Sequence, residues 1–134
     1  MPTVYLVTGS REYTDLAEVT AWGDSLPDDA YLMDGMARGV DNAAFTGFYR
    51  RHPGAQSLRR PAEWDKHGKK AGLLRNEQMV LECVTLQDRG WAVEVHAFWD
   101  GSSRGTKNCM DAASAVGFPV TVHRHGQEPE VLRC

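Results

Sequence analysis

Apolar residues along this chain follow two rhythms. Short runs rich in β-branched and aromatic residues, bounded by Gly or Pro, alternate with longer stretches in which apolar positions recur every three or four residues. The first rhythm predicts five strands. They cover residues 3–8 (TVYLVT), 30–33 (AYLM), 56–59 (QSLR, placed mainly by its context), 92–99 (AVEVHAFW) and 119–123 (PVTVH). The second rhythm predicts helices over residues 15–26, 41–51, 73–89 and 108–116. In the third helix, Leu73, Leu74, Val80, Leu81 and Val84 recur at helical spacing and are expected to face the core. Strands separated by helix-length segments build a parallel sheet through right-handed crossovers. The expectation is one α/β domain over residues 1–123 with a sheet of about five strands. Residues 124–134 (RHGQEPEVLRC) are polar and aperiodic, and are expected to form a surface or poorly ordered tail.

Composition sharpens this picture by exclusion. A chain of 134 residues, 42% hydrophobic and 25% charged, has the make-up of a single globular domain. No apolar run approaches the ~20 residues that a membrane span requires. The start of the chain, MPTVYLVT, lacks the basic segment of a signal peptide. Cys83, Cys109 and Cys134 are widely spaced and form no CxxC pair, which fits a reduced, cytoplasmic protein better than a disulfide or zinc scaffold. The net charge of −3 does not imply a generally polyanion-binding surface.

The charge is unevenly placed. In a βα array the connections after strands lie at one end of the sheet and those after helices at the other. The helix-to-strand connections are short and bland. The strand-to-helix connections, residues 9–13, 35–41, 61–76 and 100–107, carry +3 within this acidic chain. Open α/β sheets bind ligands outside the carboxyl ends of their strands. Glycine-rich turns that feed helix N-termini there suit anions. A small phosphate-bearing ligand on that edge is the expectation.

Each connection has its own chemistry. Gly9, Ser10 and Arg11 combine close backbone approach, a hydroxyl and a guanidinium able to grip a phosphate. In the second, Gly35 and Gly39 flank Arg38, and Asp41 reads as a cap on the helix that follows. The third runs long, and long loops in compact domains are usually functional. It offers Trp64 for stacking on a base, Arg75 for ligand contact and Asn76 beside it, while Met79 reads as core. In the fourth, Gly101, Ser103, Arg104, Gly105 and Thr106 offer N–H groups, hydroxyls and charge around an anion. Other features are bland. His123 and His125, two apart, share strand spacing but lack an acidic or cysteine partner nearby, and read as surface. Cys109 sits at a helix start, where the dipole would lower its pKa, yet no partner base is evident and a small core residue is the simpler reading. No motif calls for a metal or a resident cofactor.

Taken in order, VTGSRE, DGMARGVD, PAEWDKHGKKAGLLRNEQM and AFWDGSSRGTKN resemble the SLOG superfamily of Rossmann-like nucleotide-binding domains, closest to its YspA-type branch of bacterial and phage proteins. The resemblance spans residues 4–122. It implies a three-layer Rossmann-like fold with strand order 3-2-1-4-5, residues 9–11 facing residues 101–106 across the crevice, and a homodimer or larger assembly. One related branch, the LOG phosphoribohydrolases, cleaves the N-glycosidic bond of nucleoside monophosphates. Its Arg-Lys-x-x-Met helix start is matched by Arg75 and Met79, with Asn76 in place of Lys. Its Pro-Gly-Gly-x-Gly-Thr-x-x-Glu loop is matched by Gly105 and Thr106, with Ser102-Ser103 for the double glycine and Cys109 for the catalytic glutamate. Asp100, Glu77 and Glu12 are the acids left to replace it, and Arg75 the weak catalytic candidate beside them. Another branch, DNA-processing protein A, binds single-stranded DNA.

Three readings follow. The first is a binder, or a sensor, of a nucleotide or nucleotide-derived ligand. The second is an N-glycosidic-bond-cleaving enzyme. The third is a single-stranded nucleic-acid binder, disfavoured by the net charge and by a single aromatic residue in the positive loops.

Overall fold

The computed structural model describes residues 1–133. Cys134, one of the three cysteines noted above, lies outside the described residues. The chain forms an α/β fold around one six-stranded sheet of order β3-β2-β1-β4-β5-β6. Its strands are β1 (Thr3–Gly9), β2 (Ala30–Asp34), β3 (Ser57–Arg59), β4 (Ala92–Phe98), β5 (Val120–His123) and β6 (Glu130–Leu132). The first five are parallel to their neighbours. The sheet is compatible with the Rossmann-like arrangement but is mixed, because β6 runs antiparallel to β5. The expected tail is therefore corrected: residues 130–132 add an edge strand. All three of its side chains stay exposed, so there was no buried alternation to mark it.

Alternation along the central strand builds the layers. Val4 and Leu6 point to one face, Tyr5 and Val7 to the other. The first face is covered by α4 (Ala71–Asp88) and α5 (Arg104–Ala115), through Met79, Val80, Cys83, Cys109, Met110 and Ala113. The second is covered by α1 (Leu16–Ser25) and α2 (Val40–Tyr49), through Val19, Val40, Ala44 and Phe48. A short helix, α3 (Trp64–His67), and a 3-10 turn at Gly68–Lys70 lie within the long loop before α4.

The face of α4 departs from expectation. Asn76, Met79, Val80 and Cys83 are buried, whereas Leu73 and Leu81 are 45% and 59% exposed. A polar residue, Asn76, occupies the first core-facing turn, so the apolar pattern points a fraction of a turn away from the true buried face. Helix α5 begins four residues earlier than expected. Ser103 caps it, its Oγ accepting from Thr106 N, which draws Arg104 and Gly105 into the first turn. No helix among the described residues is long and apolar enough to cross a membrane.

Helices α1 and α2 pack closely enough for backbone to meet backbone. A Cβ on Gly47 would collide with the carbonyl oxygen of Thr20 and lie 3.1 Å from Asp24 N. Replacing Gly47 by Ala is expected to destabilise the fold by about 1–3 kcal/mol, because rigid backbone on the facing helix must move. Chemical denaturation checks this, and an unchanged midpoint would contradict the close packing.

Candidate functional site

The sheet parts its connections at β1. The chain leaves β1 toward β2 and β3 on one side and returns later to β4 and β5 on the other. The loops after β1 and β4 therefore diverge to opposite faces and leave a crevice at their carboxyl ends. An open cleft of about 440 Å3 occupies this place.

Ser10 ties the crevice together. It is 1% exposed; its N–H donates to Phe98 O at 3.1 Å, and its Oγ accepts from Asp100 N at 3.1 Å. The Asp100 carboxylate in turn accepts from Ser102 N at 2.9 Å and Ser103 N at 2.8 Å, and these bonds hold it below the usual carboxylate range. Asp100 thus shapes the loop through its Oδ1. The first turn of α5 completes this wall. Among the described residues the N–H groups of Arg104 and Gly105 have no partner, as expected at a helix N-terminus. A Cβ on Gly105 would meet no protein atom within 4 Å, so that position is open toward the cleft it lines.

The opposite wall comes from α4 and the loop after β2. Arg75 donates through Nε to Asn76 Oδ1 at 2.9 Å and through Nη1 to the carbonyl oxygen of Gly35. Asn76 is buried and donates to Gly105 O at 3.3 Å and Asn108 Oδ1 at 3.1 Å, which locks α4 to α5. Trp64 stands at the rim, 52% exposed, with its ring facing Gly72.

The floor holds a residue that was expected to do something else. Asp41 lies inside α2, whose N-cap is Gly39, with φ of 83°. Its carboxylate does not cap the helix. Oδ2 reaches back and accepts from Gly35 N at 2.9 Å and Ala37 N at 3.3 Å. Asp41 is 4% exposed and lines the cleft. Burial first, and then the charge of Asp34, push its carboxyl up to about 7, against the pull of the two N–H groups and Arg75. Asp34 is also raised by burial, although Arg59 binds it at 3.0 Å. A buried aspartate in a glycine-rich turn reads as a cap in sequence. The one further signal was that Asp34 and Asp41 bracket the same loop.

The positions expected to contact a ligand thus divide. Gly9, Ser10, Arg11, Trp64, Arg75, Asn76, Asp100, Ser103, Gly105 and Thr106 line the cleft, as does Glu12. Gly35, Arg38, Gly39, Gly101, Arg104 and Glu77 do not. Arg38 and Arg104 are exposed to solvent. Gly35 and Gly39 serve packing: a Cβ on Gly35 would collide with the Arg75 guanidinium, and one on Gly39 would sit 2.6 Å from Arg11 O. Lys69, exposed on the long loop, lines the cleft and was not singled out beforehand.

Cys109 is fully buried, the small core residue expected, and burial pushes its thiol up to about 12, opposite to the effect of the helix dipole. The expectation for the histidines is corrected in part, because His123 is half-buried rather than at the surface. His123 and His125 do not share a partner. His123 Nε2 lies 2.9 Å from His96 Nδ1 and its ring stacks on Phe98, while His125 sits at the surface 3.9 Å from both Asp15 and Glu18. Those last three residues bring ligand atoms within 4.8 Å of one another and are the surface group with the spacing of a metal site.

The fold and cleft define an α/β protein with a ligand-sized crevice at the switch point of its sheet. The chain is 38% identical over 126 residues to the Gene 61 protein of Mycobacterium phage D29, an alignment that covers 86% of this chain and 91% of that protein. It belongs to the family of that phage protein, which fits a phage or bacterial origin. No family model and no solved structure matches the chain.

The two raised carboxyls set a pH dependence. Their folded forms hold protons more tightly than the unfolded chain, so stability is greatest below about pH 4 for these groups and falls as pH rises through about 7. Asp41→Asn is expected to flatten this fall by up to about 1.4 kcal/mol per pH unit between those limits. Denaturation of both proteins across pH 4–8 measures it, and parallel profiles would contradict a buried, unpaired Asp41.

Proposed function

We propose that this protein binds a nucleotide or nucleotide-derived phosphate ligand in the cleft at the carboxyl edge of its sheet, in the manner of the SLOG-type Rossmann-like domains that its motifs resemble. One observation carries the reading: the first turn of α5 opens on the cleft at Gly105, where no protein atom fills the space and two N–H groups have no partner. Such a terminus suits an anion, through its donors and its dipole. Arg11 and Lys69, both exposed at the cleft, supply charge that the loop network does not consume. Trp64 offers a face for a base at the rim. The volume of about 440 Å3 is of the size that holds a small ligand.

Base release from nucleoside monophosphates is the second reading, and Asp41 is the observation that favours it. It places on the floor a carboxyl near neutrality, the kind of group acid–base chemistry uses. Asp100, bound up by its own loop, and Glu77, outside the cleft, are poorer choices.

Thermal shift with nucleoside mono-, di- and triphosphates, followed by calorimetry on the best ligand, tests the proposal. Gly105→Leu should fold normally, since its side chain has open space, and should weaken binding, as should Arg11→Ala, by about tenfold or more. Undiminished binding in both variants would contradict this placement. Incubation of the same ligand with the protein, with free base as the readout, separates binding from cleavage.

A further inference from the structure

The phosphate reading leaves Asp41 unexplained. Its Oδ2 is satisfied by Gly35 and Ala37. Among the described residues its Oδ1 has no hydrogen-bond partner, and it is not sealed from solvent; Asp41 is 4% exposed and lines the cleft. Among the described residues Asp41 forms no ion pair, whereas its neighbour Asp34 is held by Arg59. The nearby Arg75 is committed to Gly35 and Asn76. A side chain nine-tenths buried with an unpartnered acceptor is costly, and its free lone pairs call for a donor. A phosphate cannot supply one, because its oxygens are acceptors and carry like charge. The cleft therefore has two chemically opposite ends, with N–H donors at the first turn of α5 and a carboxylate acceptor on the floor.

We infer that Asp41 Oδ1 accepts a hydrogen bond from a sugar hydroxyl of the ligand, so that the cleft selects hydroxylated sugar phosphates, with the phosphate at α5 and the hydroxyl on Asp41. This rests on the phosphate reading above. Above about pH 7, where Asp41 is ionised, it gives a charge-assisted bond, stronger than one to a neutral group, and a ligand without the hydroxyl leaves Asp41 buried and unpaired. Asp41 is then a specificity-determining residue, and it rather than Asp100 separates ligands of similar size and charge.

The test uses three probes under one set of conditions: adenosine monophosphate, its 2′,3′-dideoxy analogue and inorganic phosphate. The two nucleotides share base and phosphate and differ only in hydroxyls. The wild-type protein is expected to bind adenosine monophosphate about 10- to 100-fold more tightly than the dideoxy analogue. In Asp41→Asn, whose amide oxygen can keep the Gly35 and Ala37 bonds, that preference should drop by about tenfold while inorganic phosphate binds at least as tightly, because a like charge has left the cleft. Equal binding of the two nucleotides by the wild-type protein would overturn the inference and leave the phosphate reading standing. So would a preference that survives in the variant, or a loss of phosphate affinity there. Failure of all three probes to bind would overturn both. Should the variant not fold, the wild-type comparison decides alone.

Discussion

At the carboxyl end of β1 the backbone runs out of ladder partners just where the chain's connections part to opposite faces. Loops there must be held without a sheet, and the rest of the crevice depends on how this is done. Side chains take the place of strands. Ser10 bridges the loops after β1 and β4, Asp41 gathers the N–H groups of the loop after β2, and Arg75 and Asn76 tie that loop and α4 to the start of α5. Each brace satisfies a backbone group that would otherwise be buried unpaired. The cleft is rigid for that reason, and its chemistry is what the bracing leaves over.

That remainder is small and specific. Many of the polar atoms drawn to the crevice are spent on structure: Ser10, Asn76, Oδ1 of Asp100, and Nε and Nη1 of Arg75 bond neighbouring protein atoms. What stays available includes the first turn of α5 at Gly105, the exposed cations Arg11 and Lys69, the ring of Trp64 and one oxygen of Asp41. The balance of charge at the cleft is correspondingly mixed, with Glu12, Asp41 and Asp100 set against Arg11, Lys69 and Arg75. A ligand with both an anionic and a donor end fits that balance better than a simple anion does.

Much of this was legible in the amino acids. Alternation in VYLV reports burial directly, and the succession of strand-like and helix-like runs gives the sheet and its two helix layers. The edge of the sheet that carries the crevice was readable from the placement of Gly and Arg after strands. Three things were not legible, each for a physical reason. Strand β6 buries no side chain and so leaves no pattern. The true face of α4 begins with a polar residue whose role depends on α5, far away in sequence. The burial of Asp41 is a tertiary property, and it raises a carboxyl that a helix start alone would lower. Sequence shows which residues reach a loop; it does not show which of them the loop consumes.

Amide-resolved NMR during titration with adenosine monophosphate tests the central claim most directly, because it reads the backbone donors themselves. The account predicts that the amides of Arg104 and Gly105 shift first and furthest, with smaller changes at Arg11 and Lys69 and little change around β6. Saturable binding that leaves the first turn of α5 unmoved and shifts another surface instead would contradict it.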